Sequence, residues 1–110
     1  MRVTITARHT NVSDDLRQRA RDLVDRLAKV APRPEDAQVI FSDDHDVAVV
    51  ELRLHVARGD VLVGRAEGTD HRSALDRAAA RVRRQLDKSP AKRSGPARRR
   101  AQAREGGSRQ

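Results

Sequence analysis

The sequence predicts an α+β domain of order β-α-β-β-β-α, a four-stranded sheet with two helices packed on one face, followed by a disordered basic tail. Three observations lead there. Four segments alternate apolar and polar residues with period two, two others repeat apolar residues at three- and four-residue spacing, and the composition changes abruptly after Lys88.

Val3, Ile5 and Ala7 alternate with Thr4, Thr6 and Arg8, which gives a first strand over residues 2–8 with one buried face. Asn11 to Ser13 breaks that pattern. Ser13 is placed to cap a helix whose first turn carries Asp14 and Asp15 at the positive end of the helix dipole. Leu16, Ala20, Leu23, Val24, Leu27 and Val30 then mark one apolar stripe, and Pro32 and Pro34 stop the helix. A second strand is expected near Ala37 to Ser42, then a polar turn over Asp43, Asp44, His45 and Asp46. The third strand, Val47 to Val56, places Val50, Leu52, Leu54 and Val56 on one face and Glu51, Arg53 and His55 on the other. Arg58, Gly59 and Asp60 turn the chain into a fourth strand from Val61 to about Glu67. The second helix starts near Thr69 or Asp70 and runs to Lys88, with Ala74, Leu75, Ala78, Ala79, Val82 and Leu86 as its apolar stripe. One stripe per helix puts both helices on the same side of the sheet, and a right-handed crossover makes strands one and two parallel.

Charge divides the chain into the same two parts. Residues 1–88 hold 17 Lys and Arg against 15 Asp and Glu, whereas residues 89–110 hold 7 against 1. The second part also contains Pro90, Gly95, Pro96, Gly106 and Gly107 and too few apolar residues to build a core, so it reads as a disordered tail attached to a domain of residues 1–88. Phe41 is the only aromatic residue, and the core must come from Val, Leu, Ile and Ala. There is no cysteine, hence no disulfide or thiolate metal site, and no apolar run at the start resembles a signal peptide or a membrane span. The cytoplasm is the expected location. Arg outnumbers Lys by 21 to 3, which suits bidentate phosphate contacts and also fits a coding bias toward GC-rich codons.

Candidate chemistry concentrates on the second helix. At about 100° per residue, Arg77, Arg81, Arg84 and Lys88 fall within an arc of roughly 60° on its solvent side. That stripe holds no acid, while Asp76 and Asp87 lie on another flank near Arg83. Such a row of cations suits a phosphate backbone, and its spacing equally suits an ordinary solvated face. Arg17 and Arg21 share one flank of the first helix and Arg19 and Arg26 the other, diluted by Asp14, Asp15, Asp22 and Asp25. The Asp43 to Asp46 turn lacks the alternating ligands and central glycine of a calcium loop. His9, His45, His55 and His71 have no zinc spacing, and no residue sits in a nucleophile motif or phosphate loop. Neither an enzyme nor a cofactor or metal is expected.

Ile5 to His9, Ser13 to Arg17, Leu27 to Lys29, Asp70 with Ala74 to Asp76, and Arg84 to Leu86 with Lys88 together resemble the ribosome hibernation promoting factor and ribosome-associated translation inhibitor family, once called sigma-factor modulation proteins. The resemblance covers residues 1 to about 88. It implies a protein that lodges in the decoding channel of the small ribosomal subunit, overlaps the mRNA and tRNA path and silences ribosomes under stress. It also implies ribosomal-RNA contacts at Arg81, Arg84 and Lys88, with Arg77 completing the stripe and Arg8 and Arg17 as lesser candidates. Arg72 stands where the family usually has an aromatic residue. No second, dimerising domain follows, so ribosome pairing by this chain alone is not expected, and off the ribosome a monomer is. The alternatives are a general structured-RNA-binding or chaperone module using the same face, and an interaction domain whose tail binds anionic lipid or protein.

Overall fold

Period-two alternation becomes four strands, β1 (Arg2–Ala7), β2 (Pro34–Asp44), β3 (Val47–Val56) and β4 (Val61–Gly68), and the three- and four-residue spacing becomes α1 (Asp14–Val30) and α2 (His71–Lys88). This computed structural model describes residues 1–88; the basic tail expected over 89–110 lies outside the described residues. The sheet order is β1-β2-β3-β4, with β1 parallel to β2 and the other pairs antiparallel. In register, Ile5 lies beside Val39 and Val39 beside Leu52, so alternate residues of successive strands form one apolar face. Both helices close that face, and their stripes and the inner sheet residues form a single core.

The helix starts follow from local chemistry. Ser13 Oγ accepts the Leu16 N–H at 3.1 Å and caps α1. Asp70 caps α2 by accepting the Ser73 N–H at 2.7 Å, a bond to the ionised carboxylate that holds its pKa below the ordinary aspartate value. All six residues expected on the α2 stripe are buried. On α1 the centre of the stripe, Ala20, Val24 and Leu27, is buried, while Leu16, Leu23 and Val30 are half-buried at its margin. Phe41 is fully buried, its ring 5.8 Å from that of His71 in an edge-to-face arrangement.

Two boundaries differ from the sequence expectation. The strand β2 begins at Pro34 rather than Ala37, because Pro34 already pairs with Val56 across a register irregularity that ends at Asp36, and this stretch carries no apolar alternation to reveal it. The following turn is only His45 and Asp46, since Asp43 and Asp44 still pair with Ala48 and Val47. Both turn residues have positive φ, 50° and 67°, the geometry of a two-residue hairpin whose twist matches its strands.

The joint between α2 and the sheet is unusually close. On its helix-facing side β4 offers Gly64 and Ala66, both buried, and α2 meets Gly64 with Ala78 and Val82. A Cβ on Gly64 would stand 2.3 Å from the Ala78 carbonyl oxygen and 3.0 Å from a Val82 methyl. Between the helices, the Arg19 guanidinium grips Asp76 with two bonds of 2.9 and 3.0 Å. That hydrogen-bonded carboxylate raises the Arg19 pKa above its ordinary value.

Because the obstacle at position 64 is backbone, relief requires the helix to move. Gly64→Ala is expected to destabilise the domain by about 1–3 kcal/mol, the range for overpacking a close joint. Urea denaturation of the two proteins checks this; equal midpoints would show that the joint has slack.

Candidate nucleic-acid interface

The two flanks of α2 differ in how their charges are used. On the flank facing α1, Asp76 binds Arg19, and Arg83 pairs with Asp87 at 3.2 Å. That side largely neutralises itself.

On the opposite flank, which overhangs the outer edge of β4, the four cations of the sequence stripe stand together. Arg77 Nη1 donates to the Glu67 carbonyl at 2.9 Å, and Arg81 Nη1 donates to the Arg65 carbonyl at 2.9 Å. Gln85 continues the series with a 2.6 Å bond to the Val63 carbonyl. Residues four apart on α2 thus satisfy alternate carbonyls of an edge strand that no further strand covers. Each guanidinium has five N–H donors in a fixed fork, so one bond to a carbonyl orients the group and leaves donors for a ligand. Arg84 and Lys88 have no hydrogen-bond or ion-pair partner among the described residues and are exposed. With Arg65, Arg81 and Gln85 they surround a shallow concavity of about 400 Å³.

Arg65 is the basic residue that the sequence does not single out here. It belongs to a strand, and only the seating of α2 on β4 brings it beside Arg81 and Arg84. Gln85 is missed for the same reason. The remaining candidates are not joined to this group. Arg8, just beyond β1, is exposed, donates its backbone N–H to the Phe41 carbonyl at 2.8 Å, and has its side chain on the helix-free face of the sheet. Arg17 is half-exposed on the flank of α1 turned away from Arg19 and hence from α2. Arg72 is exposed on the first turn of α2.

Among the described residues, no cluster of His, Cys, Asp and Glu is arranged to hold a metal ion, and no helix is long and apolar enough to cross a membrane. The structure offers a rank of oriented cations at a sheet edge, a surface whose chemistry is to hold an anion.

Fold and flank together define a small two-layer α+β domain with a polycationic edge. The chain belongs to the family described as Sigma 54 modulation protein / S30EA ribosomal protein, whose family model matches residues 3–94. Two solved structures share its fold at a TM-score of 0.69. One is a ribosomal subunit interface protein from Coxiella burnetii, 20% identical, with 80% of this chain and 96% of that chain covered. The other is the N-terminal domain of Thermus thermophilus Protein Y, 23% identical, with 80% and 98% covered. No curated relative matches the sequence.

The bonds to β4 give the four cations different weights in stability. Arg77→Ala and Arg81→Ala should each cost about 0.5–1 kcal/mol, the scale of an exposed hydrogen bond, whereas Arg84→Ala and Lys88→Ala should leave thermal unfolding unchanged. Equal melting temperatures across all four variants would mean that the carbonyl bonds do not persist in solution.

Proposed function

We propose that this domain is a ribosome-binding translation silencer that occupies the decoding channel of the small subunit and stores ribosomes in an inactive state under stress. The observation that carries this reading is the family match over residues 3–94, which includes the whole α2 flank where the unneutralised cations lie. The two similar structures, one of them a ribosomal subunit interface protein, add support through the shared fold.

Physically, inhibition of this kind needs no catalytic group. Arg77, Arg81, Arg84 and Lys88 would bind ribosomal-RNA phosphates by charge-assisted hydrogen bonds, with Arg65 joining them and Arg8 and Arg17 contributing from other faces. The body of the domain would then exclude mRNA and tRNA by volume. The small subunit and its RNA are the proposed partner, the cytoplasm the proposed location, and a monomer the proposed state off the ribosome. No cofactor, membrane or small-molecule substrate enters the reading.

Two expected outcomes test it. Bound domain and bound initiator tRNA should exclude one another on small subunits, so increasing tRNA should displace the domain in a filtration assay. Formation of a ternary complex with undiminished tRNA affinity would place the domain elsewhere, and equal binding to unrelated folded RNA would favour a general RNA chaperone.

The second outcome concerns residues 89–110, proposed to add affinity for RNA without specificity; they hold 7 basic residues and 1 acidic. Each phosphate contact made by the tail steepens the fall of log K with log salt by about 0.7–0.9. A chain ending at Lys88 should therefore fold normally, show a flatter salt dependence, and lose most affinity at low ionic strength. An unchanged slope would make the tail a bystander to RNA binding.

A further inference from the structure

The helix-free face of the sheet carries a second basic feature, separate from the α2 flank. There, Arg8, Gln38, Ser42, Glu51, Arg53 and Arg65 line a depression of about 310 Å³. Register explains why they meet. Arg65 pairs across the sheet with Glu51 and Arg53 with Gln38, so alternate side chains of β2, β3 and β4 project to the same side. Arg8 extends the row beyond β1, anchored through its backbone to Phe41, the neighbour of Ser42. From β4 to β1 the row crosses three strand spacings, about 14 Å.

Arg65 links the two features, since it lines both this depression and the concavity formed with Arg81, Arg84 and Lys88. Basic side chains therefore run from the α2 flank, over the β4 edge, onto the open face, where Glu51 and Glu67 are set among them. We infer that this face is a second RNA-strand site, and that a single strand follows the cations around the β4 edge from one side of the domain to the other. The inference rests on the domain being an RNA binder and adds a face that the α2 stripe does not include.

The lining favours a ribose-phosphate chain over other anions. Three guanidinium groups supply phosphate donors. Glu51, only 23% exposed and bonded to Arg53, would repel a bare phosphate placed against it but accepts a hydrogen bond from a ribose 2′-hydroxyl. Gln38 and Ser42 add groups that both donate and accept. With no aromatic ring available for stacking, the site reads backbone and not base sequence. Ile40 and Val49 in the lining and the exposed Val47, Val61 and Val63 on the same face give it apolar area as well, but Glu51 and Glu67, set among the arginines, disfavour a uniformly anionic lipid surface.

The test uses the full chain with a fluorescent single-stranded RNA oligonucleotide of mixed sequence, its deoxy counterpart, and phosphatidylserine vesicles. Arg8→Gln with Arg53→Gln, two residues that line only the sheet-face depression, should lower RNA affinity about tenfold or more at low salt, reduce the salt slope by about 1.4, and abolish the preference for RNA over DNA. In parallel, the unsubstituted chain is photo-cross-linked to a 4-thiouridine oligonucleotide, which guards against a variant that misfolds. Cross-links are expected on peptides of β3 and β4 as well as α2. If cross-links fall only on α2, and the sheet-face variant binds as the unsubstituted chain does while Arg84→Gln with Lys88→Gln binds weakly, the second site is overturned and the α2 reading stands. If neither variant loses RNA, both readings fall. Loss of vesicle binding with RNA binding intact would assign the face to a membrane and overturn the RNA assignment.

Discussion

The contact of Gly64 with the Ala78 carbonyl sets the position of nearly everything that bears on function. Small residues on β4 and α2 let the helix backbone come down onto the sheet, and any Cβ at position 64 would meet backbone at 2.3 Å. With the helix held there, its Ala, Leu and Val stripe faces the core, and the adjacent flank is carried past the sheet edge. Arg77, Arg81 and Gln85 then reach the carbonyls of Glu67, Arg65 and Val63. One arrangement thus solves two problems. It covers a strand edge that would otherwise invite pairing with another chain, and it orients guanidinium groups whose remaining donors face outward.

The near balance of charge over residues 1–88 conceals an asymmetry in space. Acids are spent where the helices face each other, on Arg19 and Arg83, and at the helix starts, where Asp70 caps α2. None forms an ion pair with Arg84 or Lys88 among the described residues; Asp87, the acid nearest to them in sequence, pairs with Arg83. A nearly neutral body can therefore present a strongly positive edge, and the distribution of charge matters more here than its sum. On the open face the balance is different: Glu51 and Glu67 temper Arg53 and Arg65, leaving a mixed surface suited to a strand that carries hydroxyls as well as phosphates.

What the sequence revealed, and what it did not, follows from the range of the interactions. Caps and stripes are local. Ser13, the six apolar positions of α2 and the full extent of β3 could be read from spacing alone, and the parallel pairing of β1 with β2 followed from the handedness of the crossover. The start of β2 at Pro34 and the two-residue turn at His45 and Asp46 depend on register with β3, which leaves no periodic trace. Asp76 looked from the helix alone like a neighbour of Arg83, yet it binds Arg19, 57 residues earlier. The stripe on α2 was visible, whereas its bonds to β4 and the addition of Arg65 required knowing which strand lies beneath the helix. Arg8 and Arg17, grouped with the stripe by resemblance, prove to lie on separate faces.

The central claim is that the α2 flank binds ribosomal RNA and that two of its cations, Arg84 and Lys88, serve that contact without serving the fold. Its most direct measurement is the affinity of Arg84→Glu with Lys88→Glu for purified small ribosomal subunits, taken beside the thermal unfolding of the same variant. Both residues are free of partners among the described residues, so melting should match the unsubstituted chain. Loss of two charge-assisted contacts at about 1–3 kcal/mol each should weaken binding at least tenfold. Unchanged affinity in a variant that melts normally would contradict the account.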